Sequence, residues 1–351
     1  MPSSSGHRDF GARSTPRQRA ARGLPVAVLV AGVAGVAGTW ASRAEAQQPK
    51  QAQGFAVERL YPSAPGGGWM VMDDLDIRGG LGGAIAISGG YAHDPLRVKT
   101  LDGSQHLAVV SKQAFANIGI AVTYDRYRLY LDLPSPLVVD GQGGTIGDYS
   151  FVAPSADLGK NPDSVSDVRL GLDARFIGVA NGPFRLGAGA QLFIPPGSRT
   201  DYVTDGTYRG MGRVLFAGDV GSFAYAAQLG IHVRPVDDSP TPGSPEGSEL
   251  LFGVAGGPKL PVGDSGKTVV VVGPEIFGET AFRSFLGATT TGLEALLTGR
   301  LEGTGDADAQ LRVKLGAGAG ISPHFGAPEW RIVLGLEVFD HNTDRDPVPR
   351  R

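Results

Sequence analysis

The chain has 351 residues, a formal net charge of -3 and no cysteine. Absence of cysteine removes disulfide scaffolds, thiolate zinc sites, cysteine nucleophiles and a lipid-modified N-terminal cysteine, and the balanced charge argues against a dedicated nucleic-acid binder, which shows a basic excess. Glycine is abundant at 54 residues, with no collagen-like period, and it sits within alternating apolar runs that read as crowded strands and turns.

Residues 1–46 read as an export signal. Arg13, Arg17, Arg19 and Arg22 form a basic region, residues 24–38 are apolar and small, and Ala44-Glu45-Ala46 fits an A-x-A cleavage site, placing the mature start at Gln47. The alternative, a retained membrane anchor, fits the short apolar run less well. No adjacent arginine pair precedes that run, as expected of a cleaved Sec-type signal rather than a twin-arginine one. Nothing after Gln47 approaches the ~20 continuous apolar residues of a membrane helix. The exported chain is therefore either a soluble β-protein or an outer-membrane barrel.

Residues 47–72 are polar and rich in Pro and Gly and read as a periplasmic lead. Period-2 alternation then recurs almost to the end. Leu75, Ile77, Gly79, Leu81, Gly83, Ile85 and Ile87 form one face of a first strand, opposite Asp74, Asp76 and Arg78. A second strand closes on Ile118, Ile120, Val122 and Tyr124, and a third sets Tyr127, Leu129, Leu131 and Leu133 against Arg128, Tyr130 and Asp132. A fourth sets Val168, Leu170, Leu172, Ala174 and Phe176 against Arg169, Asp173 and Arg175, and a fifth sets Phe184, Leu186, Ala188, Ala190 and Leu192 against Arg185 and Gln191. The sixth, 208–219, places Arg209 and Arg213 on one face; the seventh sets Phe223, Tyr225, Ala227, Leu229 and Ile231 against Gln228 and His232. Further strands are expected at 248–257, 267–277, 291–301, 310–321 and 329–339. Such alternation is the strand signature, and about ten residues suit a tilted strand that crosses a bilayer.

The connections alternate in length. Residues 125–126, 180–183, 218–222, 261–266 and 303–308 are short, whereas 134–165, 195–207 and 234–247 are long. Short turns at one end and long loops at the other is the outer-membrane arrangement, which a soluble sandwich has no reason to adopt. The expected fold is all-β, an antiparallel up-and-down transmembrane β-barrel of about twelve strands over 73–339, with a polar tail over 340–351. Charge on a lipid face costs about 2–4 kcal/mol per Arg or Lys at the midplane. The charged face is therefore expected to line the lumen: Arg78, Arg128, Asp132, Arg169, Asp173, Arg175, Arg185, Arg209, Arg213, Glu294, Arg300, Arg312, Lys314, Arg331 and Glu337. Tyr124, Tyr127, Phe176, Phe184, Phe223 and Trp330 fall at strand ends, where interfacial girdles are expected. The alternative is a soluble β-protein whose polar face meets water.

Several segments, taken in order, resemble the N-terminal barrel of the myxobacterial outer membrane protein A family. They are Asp74-Leu75-Asp76-Ile77-Arg78-Gly79, Asp167-Val168-Arg169-Leu170-Gly171, Pro195-Pro196-Gly197-Ser198-Arg199 with Asp205-Gly206, Gly247-Ser248-Glu249-Leu250-Leu251-Phe252-Gly253, Gly273-Pro274-Glu275, and Gly326-Ala327-Pro328-Glu329-Trp330-Arg331. The resemblance implies an outer-membrane barrel and no catalytic residue. Members of that family continue into an Asp/Gly-rich linker and a peptidoglycan-binding domain. Only Thr343 to Asp346 resembles the start of that linker, so peptidoglycan binding is not carried over.

Other motifs read as structure. Gly263-Asp264-Ser265-Gly266 matches part of a serine-protease motif but has no histidine motif to partner it. Gly266-Lys267-Thr268 ends like a phosphate-binding loop yet precedes a strand, where phosphate binding needs a helix N-terminus. Gly187-Ala188-Gly189 and the Gly/Ala run 316–320 lie inside strand patterns. His7, His93, His106, His232, His324 and His341 show no metal-ligand spacing. Loop residues Asp157, Asp163, Asp167, Asp201 and Asp205 read as solvated carboxylates rather than calcium ligands.

The first functional expectation is a porin-like passive pore for small solutes in a Gram-negative cell envelope, with the basic excess predicting anion preference. The second is a structural or adhesion barrel with a charge-plugged lumen and working outer loops. No enzyme, catalytic residue, metal or other cofactor is expected. The expected partners are outer-membrane lipid, the barrel-assembly machinery and small solutes, and not nucleic acid.

Overall fold

The structure is a computed structural model and describes residues 49–160, 165–236, 246–263, 268–303, 309–322 and 326–340. The expected signal at 1–46, the Ser265 turn, Asp163, His324, most of the 234–247 loop and the tail beyond Asp340 lie outside the described residues.

The strands in chain order are β1 (Lys50–Gln51), β2 (Leu81–Lys99), β3 (His106–Tyr124), β4 (Tyr127–Asp140), β5 (Gly144–Ile146), β6 (Tyr149–Phe151), β7 (Val168–Ile177), β8 (Arg185–Ile194), β9 (Arg209–Val220), β10 (Phe223–Val233), β11 (Glu249–Val262), β12 (Thr268–Ala281), β13 (Thr291–Gly303), β14 (Ala309–Ser322) and β15 (Trp330–Asp340). Twelve of them close into an antiparallel barrel, each paired with its neighbour along the chain and β15 returning to β2. The other three form a small sheet in the order β1-β6-β5.

Alternation turns one side of each strand outward. Ile332, Leu334, Leu336 and Val338 of β15 are exposed, whereas Arg331, Val333 and Glu337 between them are buried. Ile85, Ile120, Leu129, Leu172, Leu229, Val254, Leu297 and Leu315 continue the outer apolar belt around the barrel. The turn at 125–126 reverses the chain with Asp125 at φ 54°, and that at 221–222 with Gly221 at φ 58°, as tight hairpins demand.

The opposite end carries the long loops. There β2 and β3, each 19 residues, run past their neighbours. At about 3.3 Å per residue they far exceed the ~30 Å hydrocarbon thickness. Their tips, the small sheet and the 199–203 turn enclose an apolar cluster that includes Phe55, Val57, Leu96, Val98, Val109, Val110, Val139 and Tyr202.

Two expectations are corrected here. The lead expected over 47–72 does not lie outside the barrel: from Ala52 through residue 80 most residues are buried. They start in the apolar cap at the long-loop end and run through the lumen to β2. The first barrel strand, β2, begins at Leu81, not at residue 73, and Leu75 and Ile77 are packed in the interior rather than paired in the wall. The cause is local. Asp73 Oδ1 accepts the Leu75 amide at 2.8 Å and Asp74 Oδ1 the Asp76 amide at 3.0 Å. Such side-chain turns compete with extended backbone, and Leu75 takes φ 55°.

Candidate functional site: the occupied lumen

Within the barrel the segment doubles back. The Ser63 amide donates to the Met70 carbonyl at 2.9 Å and Gly67 to Ala64 at 2.7 Å. Gly68 sits at φ 87°, and a Cβ there would lie 2.0 Å from Asp74 Oδ2, so only glycine fits. Past this turn, Trp69, Met70, Val71, Met72, Leu75 and Ile77 pack against Phe115, Leu215, Ala226, Ala255, Val271 and Leu296 of the wall.

Polar contacts fix the register. Glu275 of β12, fully buried, accepts the amides of Met70 at 2.7 Å, Val71 at 2.8 Å and Met72 at 3.0 Å. Arg128 donates to Asp73 of the segment and, at 2.8 Å, to Asp173 of the wall. Arg213 reaches Asp173 at 3.2 Å, and the Tyr130 hydroxyl accepts from both Arg213 at 3.2 Å and Gln191 at 2.6 Å. Arg185 donates to the Asp74 carbonyl at 2.7 Å and pairs with Asp219 at 2.7 Å. Arg300 lies 3.6 Å from Asp74 and over the Trp69 ring at 5.1 Å. Lys314 donates to the Trp69 carbonyl at 2.8 Å and pairs with Glu337 at 2.5 Å, which also takes Arg312 at 2.9 Å. Arg169 spans Asp132 at 2.6 Å and the Pro62 carbonyl at 2.7 Å.

Nearer the long-loop end, Arg331 joins Glu294 at 2.7 Å to Glu58 of the segment at 2.9 Å, and Arg209 pairs with Asp167 at 2.7 Å. Asp205 in the 195–208 loop accepts the Ala56 amide at 2.8 Å and Arg234 at 2.7 Å. Burial opposes ionisation of Asp205, but the charge and hydrogen bond of Arg234, with Arg209 and the Ala56 amide, together outweigh it and hold the carboxyl well below the usual range.

Every residue expected to line the lumen is buried. Arg78 alone is not in a strand; it lies in the inner segment beside Asp76, at 2.7 Å. Arg175 is buried in β7. The expected polar faces already include Asp74 and His232, though neither is counted as lumen-lining; sequence reasoning missed Glu58, Asp73, Asp219, Glu249, Glu275, Glu279 and Glu302. The acids among them offset the basic excess from which anion preference was expected. In β12, Val271, Gly273, Glu275, Phe277 and Glu279 keep strict inward alternation; following that period through Gly273-Pro274 would have found both glutamates.

No family model matches the chain, and no curated protein matches it. Solved barrels are similar to it. An outer membrane channel from Pseudomonas putida F1 is 13% identical with a TM-score of 0.48, over 76% of this chain and 97% of that one. The NanC porin is 7% identical with a TM-score of 0.41, over 73% of this chain and 99% of that one. LpxR from Salmonella typhimurium is 10% identical with a TM-score of 0.36, over 73% and 99%. The likeness is one of fold. A closed twelve-strand barrel with an apolar outer belt and a charged interior defines the class: the chain is an outer-membrane β-barrel. The expectation that it is not an enzyme is corrected: LpxR, an outer-membrane enzyme, is among the similar barrels, and that likeness of fold neither assigns nor excludes an activity in this chain. Catalytic groups on a barrel come from strands and loops far apart in sequence, so a missing linear motif excludes nothing.

Proposed function

We propose that the chain is an outer-membrane barrel held shut by its own N-terminal segment, with the short turns facing the periplasm and the apolar cap facing outward. This is the plugged alternative rather than the open passive pore. The observation that carries it is the Glu275 cradle: one buried carboxylate takes three successive amides of the segment. Charge-assisted hydrogen bonds of this kind are among the strong ones. Arg128, Arg185, Arg300 and Lys314 grip the same stretch from other strands, so the lumen is bridged across its width. The outer belt supports lipid as the partner, and the quoted segments support placing the barrel with the myxobacterial outer membrane protein A family.

Conductance in a planar bilayer is the test. The wild type should insert without steady current, and removal of residues 52–77 should open an ion-conducting pore, with folding verified by a mobility shift on boiling. A steady porin-sized current from the wild type would overturn the reading.

A further inference from the structure

Below the long-loop end, three side chains from adjacent strands converge: His232 of β10, Glu249 of β11 and Glu279 of β12. The register brings them together. His232 lies opposite Glu249, and Glu279 lies opposite Leu251, two residues further along β11. The His232 side chain is fully buried, and those of Glu249 and Glu279 are 7% and 9% exposed.

Their spacing does not suit hydrogen bonding. His232 Nδ1 is 3.4 Å from Glu279 Oε1 and 3.9 Å from Glu249 Oε2, beyond the range of a good N–H···O bond. Both imidazole nitrogens, Glu249 Oε2 and both Glu279 oxygens have no hydrogen-bond partner among the described residues. Buried polar atoms are almost always partnered. Donors about 2.1 Å from a tetrahedral cation stand about 3.4 Å apart; the His232–Glu279 pair has that spacing, His232–Glu249 is 3.9 Å, and all three donors lie within 4.8 Å of one another.

The surroundings orient the two carboxylates as a metal site would. Arg59 of the inner segment approaches Glu249 Oε1 at 3.2 Å and Glu279 Oε2 at 3.3 Å, and Arg234 donates to Glu249 Oε1 at 2.9 Å. Glu249 Oε1 is thus hydrogen-bonded and Glu279 Oε2 faces the Arg59 charge, while Glu249 Oε2 and Glu279 Oε1 face the imidazole. Outer-sphere contacts of this kind fix metal-binding carboxylates. Phe193 and Tyr61 hold the imidazole ring at centroid distances of 5.3 and 5.7 Å. A cavity of about 40 Å³ edged by Arg59, Glu249 and Glu279 leaves room for a water ligand. Asp205 neutralises Arg234, so Arg59 faces two carboxylates and the group has a negative charge for a cation to offset. Mixed imidazole and carboxylate donors favour a first-row transition ion over calcium.

We propose that His232, Glu249 and Glu279 bind one divalent transition ion of the zinc type at the outer mouth of the barrel, tying three strands to Arg59 of the plug. The full barrel in detergent, stripped with chelator, is titrated with Co2+ and the visible absorption followed, then the Co2+ is displaced by Zn2+. The wild type should take up one equivalent. His232→Ala and Glu279→Gln should abolish the band, and Arg59→Gln should weaken binding about 10–100-fold, all with the boiling shift retained. Glu279→Gln keeps the side-chain shape and so tests the site even if His232→Ala does not fold. His93→Ala, in a second cluster with Asp94 and Glu329 at the rim, should bind as the wild type does. No saturable band in the wild type would overturn the site and leave the two carboxyls sharing a proton; loss of the band in His93→Ala but not in Glu279→Gln would overturn it equally.

Discussion

The inner segment is held at its two ends by different chemistry. Residues 52–57 lie in the apolar cap among Leu96, Val98, Val109, Val139 and Tyr202. Residues 69–74 lie against Glu275, Arg128, Arg185, Arg300 and Lys314. Apolar burial is strong but non-directional. Charged hydrogen bonds are directional, and each one left unmade is costly. The cap therefore retains the segment, and the mid-lumen contacts set its register. The lock is expected to reside in the second group.

Glu275→Ala tests this most severely. It leaves three buried amides without their acceptor and should weaken the mid-lumen seat by about 3 kcal/mol or more, at about 1–3 kcal/mol for each orphaned donor. The chain has no cysteine, so a single one introduced at Met70 or Ala56 reports each half. In the Glu275→Ala background the Met70→Cys thiol should become reactive while the Ala56→Cys thiol stays protected. A parallel rise at both would merge the two halves into one unit.

Val57→Ala is the reciprocal and smaller change. Val57 is fully buried, and losing two methyl groups with a residual cavity should cost about 2 kcal/mol. Reactivity should rise at Ala56→Cys and not at Met70→Cys, and the barrel should stay closed to ions. Current through this variant would move the lock to the cap.

The smallest effect concerns the hairpin tip above both. Asp102 accepts from Thr100 Oγ1 at 2.5 Å, the Ser104 amide at 3.0 Å and Ser104 Oγ at 2.8 Å. These bonds, the Thr100 one foremost, favour the charged form and hold the carboxyl at about 2 against 3.8. A lowered carboxyl stabilises the hairpin above its unfolded value, so the support is full above about pH 4 and is lost as pH falls toward 2. A carboxyl NMR titration should place Asp102 near 2, and Ser104 amide protection should fall over that window while both cysteine reporters stay silent.

Much of the wall was legible because period 2 is enforced by lipid on one side and charge on the other. Arg128, Asp132, Arg169, Asp173, Arg213, Arg312 and Glu337 all follow from it. The plug was not legible, because a Gly/Pro-rich polar stretch reads the same whether it meets water or a charged wall. Its partner at Met70 stands 205 residues away. The two Asp-supported turns at Leu75 and Asp76 keep an alternating pattern in sequence while breaking it in space. The His232 group was hidden likewise, since its members approach only through strand register and no linear spacing records them.

The pairing of β15 with β2 has a consequence for biogenesis. That seam joins the final strand to the one continuous with the plug. Residues 52–80 enter at one mouth and leave at the other, so a barrel already zipped would have to be threaded like a needle. Assembly is simplest if the segment is laid against the nascent sheet first and the seam closes over it. The Glu275 cradle would then act as a nucleation point around which the wall curls, and its loss would slow maturation of the barrel as well as loosen the finished one.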